Sequence, residues 1–236
     1  MPIHIKADPE DVAETVLLPG NPERAEYITE NFLEEPVLYN DYRKMYGYTG
    51  EYNGKKISVQ TTGMGVPSLC IILEELNMLG TEEWIRVGTC GALQSHMELT
   101  DLVLAQSSAS IGTSVDRIDL EAGMSPPADF ELLNGLYEET EKLKTPVHIG
   151  QIVTSDYFYG GEAYTSLLKK MKEFGALAVE METSGLYTMA AKYAIKAATA
   201  LTVSDHVFRQ ERADKDVIQK GVDNMTRMVL EALTAR

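Results

Sequence analysis

The 236-residue sequence has little cysteine, a shortage of positive charge and no long apolar run. Its two cysteines, Cys70 and Cys90, are too few for a disulfide framework or a four-ligand zinc site. Lysine and arginine number 21 against 36 aspartates and glutamates, a net charge of −15, so the chain lacks the basic footprint that nucleic acid or an anionic membrane requires. No stretch approaches the ~18 apolar residues of a membrane span. We therefore expect a soluble cytoplasmic protein that binds neither nucleic acid nor a membrane.

Apolar β-branched segments alternate with amphipathic segments along the chain, and the 44% hydrophobic content is typical of a folded globular protein. The pattern predicts strands at 15–20, 57–65, 83–92, 102–106, 147–155, 177–182 and 197–205, and helices at 21–32, 66–80, 128–144, 162–175, 182–194 and 213–235. Residues 36–62 are typical of antiparallel hairpins with turns near Gly47 and at Asn53-Gly54. We predict one α/β domain over residues 1–236 with a mixed sheet.

The first predicted strand ends in Pro19-Gly20-Asn21-Pro22, and Arg24 follows one turn into the next helix. Free backbone N–H groups at a helix start, the helix dipole and an arginine together suit a phosphate group. The alternative is a plain helix start with Arg24 in solvent. Another glycine-rich turn, at 61–65, ends a strand in the same way, and in an open sheet such strand ends converge on one ligand cleft.

A buried arginine is predicted in the segment Arg86-Val87-Gly88-Thr89-Cys90-Gly91, because the surrounding run from 84 to 92 is otherwise apolar. A buried guanidinium needs an anion. The glycines and Thr89 would let a ligand approach the backbone, so a bound anion is one partner. The alternative is an internal salt bridge to a carboxylate such as Asp101 or Glu98.

Two later segments supply carboxylates. If Val179-Glu180-Met181-Glu182 is extended, both glutamates lie on one face, where they could accept hydrogen bonds from the vicinal hydroxyls of a ribose. Alternatively, Glu182 caps the following helix and Glu180 is exposed. Asp205 ends another strand within Ser204-Asp205-His206, which is no hydrolase triad because successive side chains point apart.

The histidines are too scattered for a metal site, so we predict none; they are His4, His96, His148 and His206. Tyr157, Phe158 and Tyr159 form an aromatic cluster after the strand that ends near Ser155. Such a cluster is ordinarily part of the core, but it can also stack on a planar ring.

The ordered set PGNPERA, TTGMG, RVGTCGA, SDYFY, VEME and TVSDH closely resembles the bacterial-type purine nucleoside phosphorylases over essentially the whole chain. Their superfamily also contains uridine phosphorylases and methylthioadenosine/adenosylhomocysteine nucleosidases. The resemblance implies a three-layer α/β/α sandwich with a partly barrelled mixed sheet, assembled as a hexamer of three dimers. It implies reversible phosphorolysis of purine (2′-deoxy)ribonucleosides to the free base and α-(deoxy)ribose 1-phosphate. Phosphate is then a co-substrate, and no cofactor is implied.

The resemblance also assigns individual residues. Phosphate would be bound by Gly20, Arg24, Arg86 and Thr89, and by Arg43 of a neighbouring subunit. The ribose would contact Met64, Met181 and Glu182, together with His4 across the same interface. The base would pack on Phe158 and Val179 beside the polar Glu180 and Ser204, and Asp205 would be the general acid at purine N7.

Within the superfamily, Gly160-Gly161-Glu162-Ala163 follows the Phe-Tyr pair, where a uridine phosphorylase carries a glutamine and an arginine. The phosphate arginines that a nucleosidase dispenses with are present, so a purine phosphorylase is favoured. A non-catalytic nucleoside-binding protein is the alternative of another class, although it would have no use for an acid at Asp205. Whether adenosine or 6-oxopurine nucleosides are preferred stays open.

The chain departs from the family pattern at one position. The family arginine that closes onto the catalytic aspartate lies about thirteen residues after it, where this chain has Ile218. Either Arg209 or Arg212 replaces it, or this closure is missing, and the sequence leaves these alternatives open.

Overall fold

The computed structural model of the chain describes residues 1–113 and 125–235. Its strands are β1 (Thr15–Leu18), β2 (Glu34–Asn40), β3 (Gly47–Tyr52), β4 (Lys55–Gln60), β5 (Glu83–Ala92), β6 (Leu102–Ile111), β7 (Val147–Ser155), β8 (Ala178–Glu180), β9 (Lys196–His206) and β10 (Glu211–Arg212). Its helices are α1 (Pro22–Phe32), α2 (Val66–Met78), α3 (Phe130–Thr140), α4 (Gly161–Glu173), α5 (Thr183–Tyr193) and α6 (Lys215–Thr234). None of these helices is long and apolar enough to span a membrane.

The predicted strands and helices all appear in the predicted order. The antiparallel hairpins are confirmed: β2 pairs with β3, and β3 pairs with β4. Their connections lie at 41–46, just before Gly47, and at Asn53-Gly54, where both residues have positive φ (49° and 77°) as a tight hairpin turn requires. The strand predicted at 177–182 is shorter than expected and ends at Glu180, because α5 begins at Thr183.

The strands form one ten-stranded sheet in the order β10-β9-β6-β7-β8-β5-β1-β4-β3-β2. It contains parallel pairs, such as β1 with β4 and β5, and antiparallel pairs, such as β5 with β8, so the mixed sheet is confirmed. An additional parallel pairing of β5 with β9 closes β5, β8, β7, β6 and β9 into a ring. Buried apolar side chains fill this ring, including Cys90, Val103, Ile152 and Leu201.

Helices cover both faces of the sheet. Side chains alternate between faces along a strand, and on β1 Leu17 packs with α1 and α6, whereas Val16 and Leu18 pack with α2 and α5. Apolar side chains from the two sets of helices therefore form separate cores above and below the sheet. This is the expected three-layer α/β/α sandwich.

The topology also brings the glycine-rich turns together. Strands β1, β4, β5 and β9 run parallel to one another, so their carboxyl ends lie at the same edge of the sheet. The turns after β1 and β4 are joined directly, since Thr62 donates its backbone N–H to the Pro19 carbonyl at 3.0 Å. Gly20, Thr89 and Asp205 belong to this edge.

Candidate active site

Arg86 on β5 is buried and held by two carboxylates. Its Nε donates to Glu180 Oε2 at 2.9 Å, and its Nη2 lies 2.5 Å from Glu182 Oε2. Burial disfavours the guanidinium charge, but the two carboxylates outweigh this effect and raise the pKa of Arg86. A Cβ atom on Gly88 would lie 2.8 Å from Nη2, so glycine is needed for the guanidinium to lie across the strand.

Arg86 thus has internal carboxylate partners, as one of the two sequence interpretations expected, but they are not the ones proposed. Asp101 instead contacts His148 Nε2 at 2.8 Å, and Glu98 binds Arg209. The phosphate role of Arg86 remains compatible with these ion pairs. Within residues 1–113 and 125–235, Nη1 makes no hydrogen bond, and a Cβ atom on Gly20 would lie 4.0 Å from it.

Glu180 is the structural centre of this cluster. Its buried carboxylate accepts hydrogen bonds from Arg86, from the Thr154 hydroxyl at 2.6 Å, and from the backbone N–H groups of Glu182 and Thr183 at 2.9 and 3.0 Å. The last two donors belong to the amino-terminal end of α5, where a negative charge is favourable. The sequence alternative in which Glu180 is exposed and Glu182 caps the helix is therefore wrong: Glu180 provides the cap.

Glu182 occupies the first position before α5 and is also buried. Its Oε1 accepts the backbone N–H of Gly65 at 2.6 Å, and Gly65 adopts φ 83°, which favours glycine. Burial and the charge of Glu180 raise the pKa of Glu182, while Arg86 opposes them. The two glutamates face one site, as expected. The reason differs from the one expected, because strand β8 ends at Glu180 and does not continue through Glu182.

Arg24 and Gly20 lie beside this ion-pair cluster. Asn21 accepts the Glu23 N–H at 2.8 Å and Pro22 occupies the first turn of α1, which fixes the helix start before Arg24. Arg24 is half-buried, and desolvation together with the charge of Arg86 lowers its pKa to about 10. In the described part of the chain its guanidinium has no carboxylate within ion-pair distance. Arg24 therefore lies close to another cation, Arg86, and no carboxylate of the described chain forms an ion pair with Arg24.

Asp205 lies at the end of β9 beside Gly91 and Val179. Gly91 is opposite Asp205 on one side and opposite Val179 of β8 on the other, and a Cβ atom on Gly91 would lie 2.9 Å from Asp205 Oδ2. Ser204 donates its hydroxyl to Asp205 Oδ1 at 2.8 Å. His206 is buried and its Nε2 lies 3.0 Å from the Gln94 carbonyl, so the three adjacent residues form no triad.

Among the residues assigned to the base and ribose, Glu180, Glu182 and Ser204 are buried, whereas two others are exposed. Met64 is 81% exposed and Phe158 is 55% exposed, with the ring of Phe158 meeting that of Tyr159 edge-on at 4.8 Å between centroids. Thr89 and Met181 are half-buried. The aromatic cluster is therefore not part of the core, which leaves its rings accessible to a ligand.

His4 and Arg43 lie together around Tyr42, on the surface of the chain. The ring centroids of His4 and Tyr42 are 6.3 Å apart, and the exposed Arg43 guanidinium lies 5.7 Å from the Tyr42 ring centroid. His4 is anchored by Glu75, whose carboxylate accepts the His4 and Ile5 N–H groups and lies 2.8 Å from His4 Nδ1. Both residues are accessible, as contacts to a neighbouring subunit would require.

Two residues that organise the site were not anticipated from the sequence, namely Thr154 and Glu75. Thr154 connects Glu180 to α5, since its Oγ1 also accepts the Ser184 N–H at 2.8 Å. Its position at the carboxyl end of β7 is the signal that could have identified it. Glu75 lies inside α2 with no sequence feature that separates it from other helical glutamates. Among the described residues, no cluster of histidine, cysteine, aspartate and glutamate could hold a metal ion.

With this geometry established, comparison with known proteins identifies the family. The model of the phosphorylase superfamily matches residues 14–234. The chain belongs to this superfamily. It is 47% identical over 235 residues to the purine nucleoside phosphorylase DeoD-type of an Exiguobacterium species, covering 98% of this chain and 97% of that protein. The proteins of the same name from Bacillus velezensis and a Thermoanaerobacter species are 44% and 47% identical, with 99% and 98% of this chain covered and 100% and 99% of theirs. The family expected from the sequence is confirmed.

Proposed function

We propose that this phosphorylase-superfamily protein is a purine nucleoside phosphorylase, which converts a purine (2′-deoxy)ribonucleoside and phosphate into the free base and α-(deoxy)ribose 1-phosphate. The relatives that match nearly the whole chain carry that name. One observation in the structure carries the phosphate requirement. Arg24 is half-buried beside the buried Arg86 and has no anion of its own, so a dianion at this position relieves their repulsion.

The phosphate is held by donors that converge on the edge of the sheet. Gly20 offers its backbone at the end of β1, Arg24 offers its whole guanidinium, and Arg86 offers Nη1 because its other nitrogens are engaged by Glu180 and Glu182. Thr89, further along β5, supplies a hydroxyl. Because the two carboxylates fix the Arg86 guanidinium, it is oriented for phosphate before the ligand arrives.

The reaction exchanges one bond at C1′ and transfers one proton. A phosphate oxygen forms a bond to C1′ as the bond from C1′ to N9 breaks, and the bonding electrons pass to the purine. Asp205 donates a proton to N7, which converts the leaving anion into a neutral base. Ser204 donates a hydrogen bond to the Asp205 carboxyl group, and Val179 lies on the other side of Gly91 from Asp205. Val179 therefore packs on the same purine ring to which Asp205 donates its proton. Glu182 and Met181 contact the ribose, and Phe158 and Glu180 lie beside the base.

The same proposal includes an oligomer. His4 and Arg43 lie on the surface with Tyr42, and we assign them to the ribose and the phosphate of a neighbouring subunit, in a hexamer of three dimers. Phosphate is the co-substrate, and the reaction uses no cofactor. Both cysteines are free thiols, which fits a reducing cytoplasm.

The test is turnover of adenosine, inosine, guanosine and uridine, each with and without phosphate, with product analysis for ribose 1-phosphate. We expect phosphate-dependent release of purine bases and little uracil. Release of base at the same rate in phosphate-free buffer would indicate a nucleosidase, and preferential cleavage of uridine would indicate a uridine phosphorylase. Saturable inosine binding without any product would indicate a binding protein. The relative rates of adenosine and inosine then define the purine preference.

A further inference from the structure

The two-stranded pairing at the end of β9 places an arginine directly opposite Asp205. Strand β10 runs antiparallel to β9, and its Arg212 is the register partner of Asp205. The neighbouring Ala213 donates its N–H to the Ser204 carbonyl at 2.9 Å. The Arg212–Asp205 pair is therefore of the non-hydrogen-bonded kind, with Cα atoms roughly 4.5 Å apart and side chains on the same face of the sheet.

Arg212 is available, whereas Arg209 is not. The guanidinium of Arg209 forms a bidentate ion pair with Glu98 at 2.9 and 3.0 Å, and it also donates to the Ser95 carbonyl at 2.6 Å. Arg212 is exposed, and no hydrogen bond or ion pair engages its side chain anywhere in the described chain. Ile218, at the position of the family arginine, packs against the core beneath α6 and is apolar.

We propose that Arg212 is a positioning residue that pairs with the Asp205 carboxylate when Asp205 gives its proton to the purine. This inference rests on the proposed function. Proton donation leaves negative charge on the Asp205 carboxylate, and a cation on the same face of the hairpin stabilises that charge. In the unliganded chain Asp205 is bound by Ser204 while Arg212 lies in solvent, so the acid is not opposed by a cation before the reaction.

The arrangement accounts for the chain's departure from its family. An arginine on β10 needs only a side-chain rotation, because the backbone pairing has already brought it opposite Asp205. We therefore assign the role to Arg212 through the β9–β10 register, and Ile218 is left to pack in the core.

The test compares Arg212→Gln with Arg212→Lys and with the matched control Arg209→Gln, using inosine and 7-methylguanosine as substrates. Inosine needs a proton at N7, whereas 7-methylguanosine already carries a positive charge on that ring. We expect Arg212→Gln to lower kcat for inosine about 10- to 100-fold with KM changed less than about 3-fold. The same variant should retain 7-methylguanosine turnover within about 2-fold, and Arg212→Lys should recover part of the inosine rate because it keeps the charge.

A double-variant cycle separates this role from a structural one. If Arg212 acts through Asp205, the double variant Arg212→Gln/Asp205→Asn should turn over inosine at a rate within about 2-fold of that of the Asp205→Asn single variant. Wild-type inosine turnover in Arg212→Gln, equal losses on both substrates, or full additivity with Asp205→Asn would each overturn the inference while leaving the proposed function intact. A wild-type protein that cleaves no purine nucleoside with phosphate would overturn both.

Discussion

Replacing Arg24 by glutamine should make the unliganded protein more stable and at the same time weaken its response to phosphate. The pKa of Arg24 is about 10 in the folded chain, well below the ordinary value of an arginine. A cation whose pKa is lower in the folded than in the unfolded state destabilises the fold wherever it is charged, which here includes neutral pH. This cost is fully present below about pH 10 and decreases progressively as the pH rises above that value.

The difference between the two pKa values corresponds to roughly 3 kcal/mol. Because Arg24 is half-buried, solvent screening reduces that figure, and we expect Arg24→Gln to raise the free energy of unfolding by roughly 1–2 kcal/mol. For a chain of this length, the gain is a rise in Tm of about 2–8 °C. A charged hydrogen bond to phosphate contributes about 1.5–3 kcal/mol, so the KM for phosphate should rise about 10- to 150-fold.

The assay is thermal unfolding in phosphate and in chloride at equal ionic strength. At a phosphate concentration of about 100 times Kd, the wild type gains about 2.7 kcal/mol, and a variant weakened 10- to 150-fold gains only about 0.3–1.4 kcal/mol. Arg227→Gln is the matched control, since Arg227 is exposed and its guanidinium lies 5.7 Å from the Phe32 ring centroid. A variant at Arg24 that unfolds at a lower temperature without phosphate and keeps the full phosphate response would refute this reasoning.

Three further predictions concern other parts of the site. Asp205→Asn should slow inosine phosphorolysis about 10²- to 10⁴-fold but hardly affect 7-methylguanosine; equal losses in steady-state kinetics would make Asp205 structural. Glu180→Ala should lower the free energy of unfolding by about 3–5 kcal/mol, measured with urea, because it leaves Nε of the buried Arg86 and the N–H groups at the start of α5 without a partner; a loss below about 1 kcal/mol would contradict this. Co-assembled Arg43→Ala and Arg86→Ala chains should regain part of the activity that each homo-oligomer lacks, and a fully active wild-type monomer in sedimentation would exclude shared sites.

Periodicity predicts the order of the strands and helices because nearly every one of them has its own local pattern, whereas the three-layer fold is implied by the family resemblance. The alternation of Val16, Leu17 and Leu18 between two cores shows why an all-apolar run predicts a strand covered on both faces. The end of β8 was misjudged, since the pattern of Val179 to Glu182 is equally compatible with a strand and with a helix start. The register of β10, which is two residues long, has no sequence signal at all.

The partners of Arg86 could not be derived from the sequence. The charge of Arg86 within an apolar run indicates that it pairs with an internal anion or with a ligand. Its two carboxylate partners, Glu180 and Glu182, lie at the end of a strand and at the start of a helix about a hundred residues later in the chain. They reach Arg86 only because β8 pairs antiparallel with β5, next to it in the sheet. A pairing between such distant segments depends on the whole topology. The sequence alternatives Asp101 and Glu98 are wrong, because these carboxylates bind His148 and Arg209 instead.

The charges of the site explain how a protein with a net charge of −15 can bind an anion. Arg24 and Arg86 face Glu180 and Glu182, so the ionised cluster has two positive and two negative groups and no net charge. Phosphate affinity therefore depends on the direction of individual donors rather than on excess positive charge. Glu180 and Glu182 engage Nε and Nη2 of Arg86 and leave Nη1 toward Gly20, while Arg24 keeps its full donor set. It follows that changing distant surface charges should alter phosphate binding little, whereas each of these donors is individually necessary.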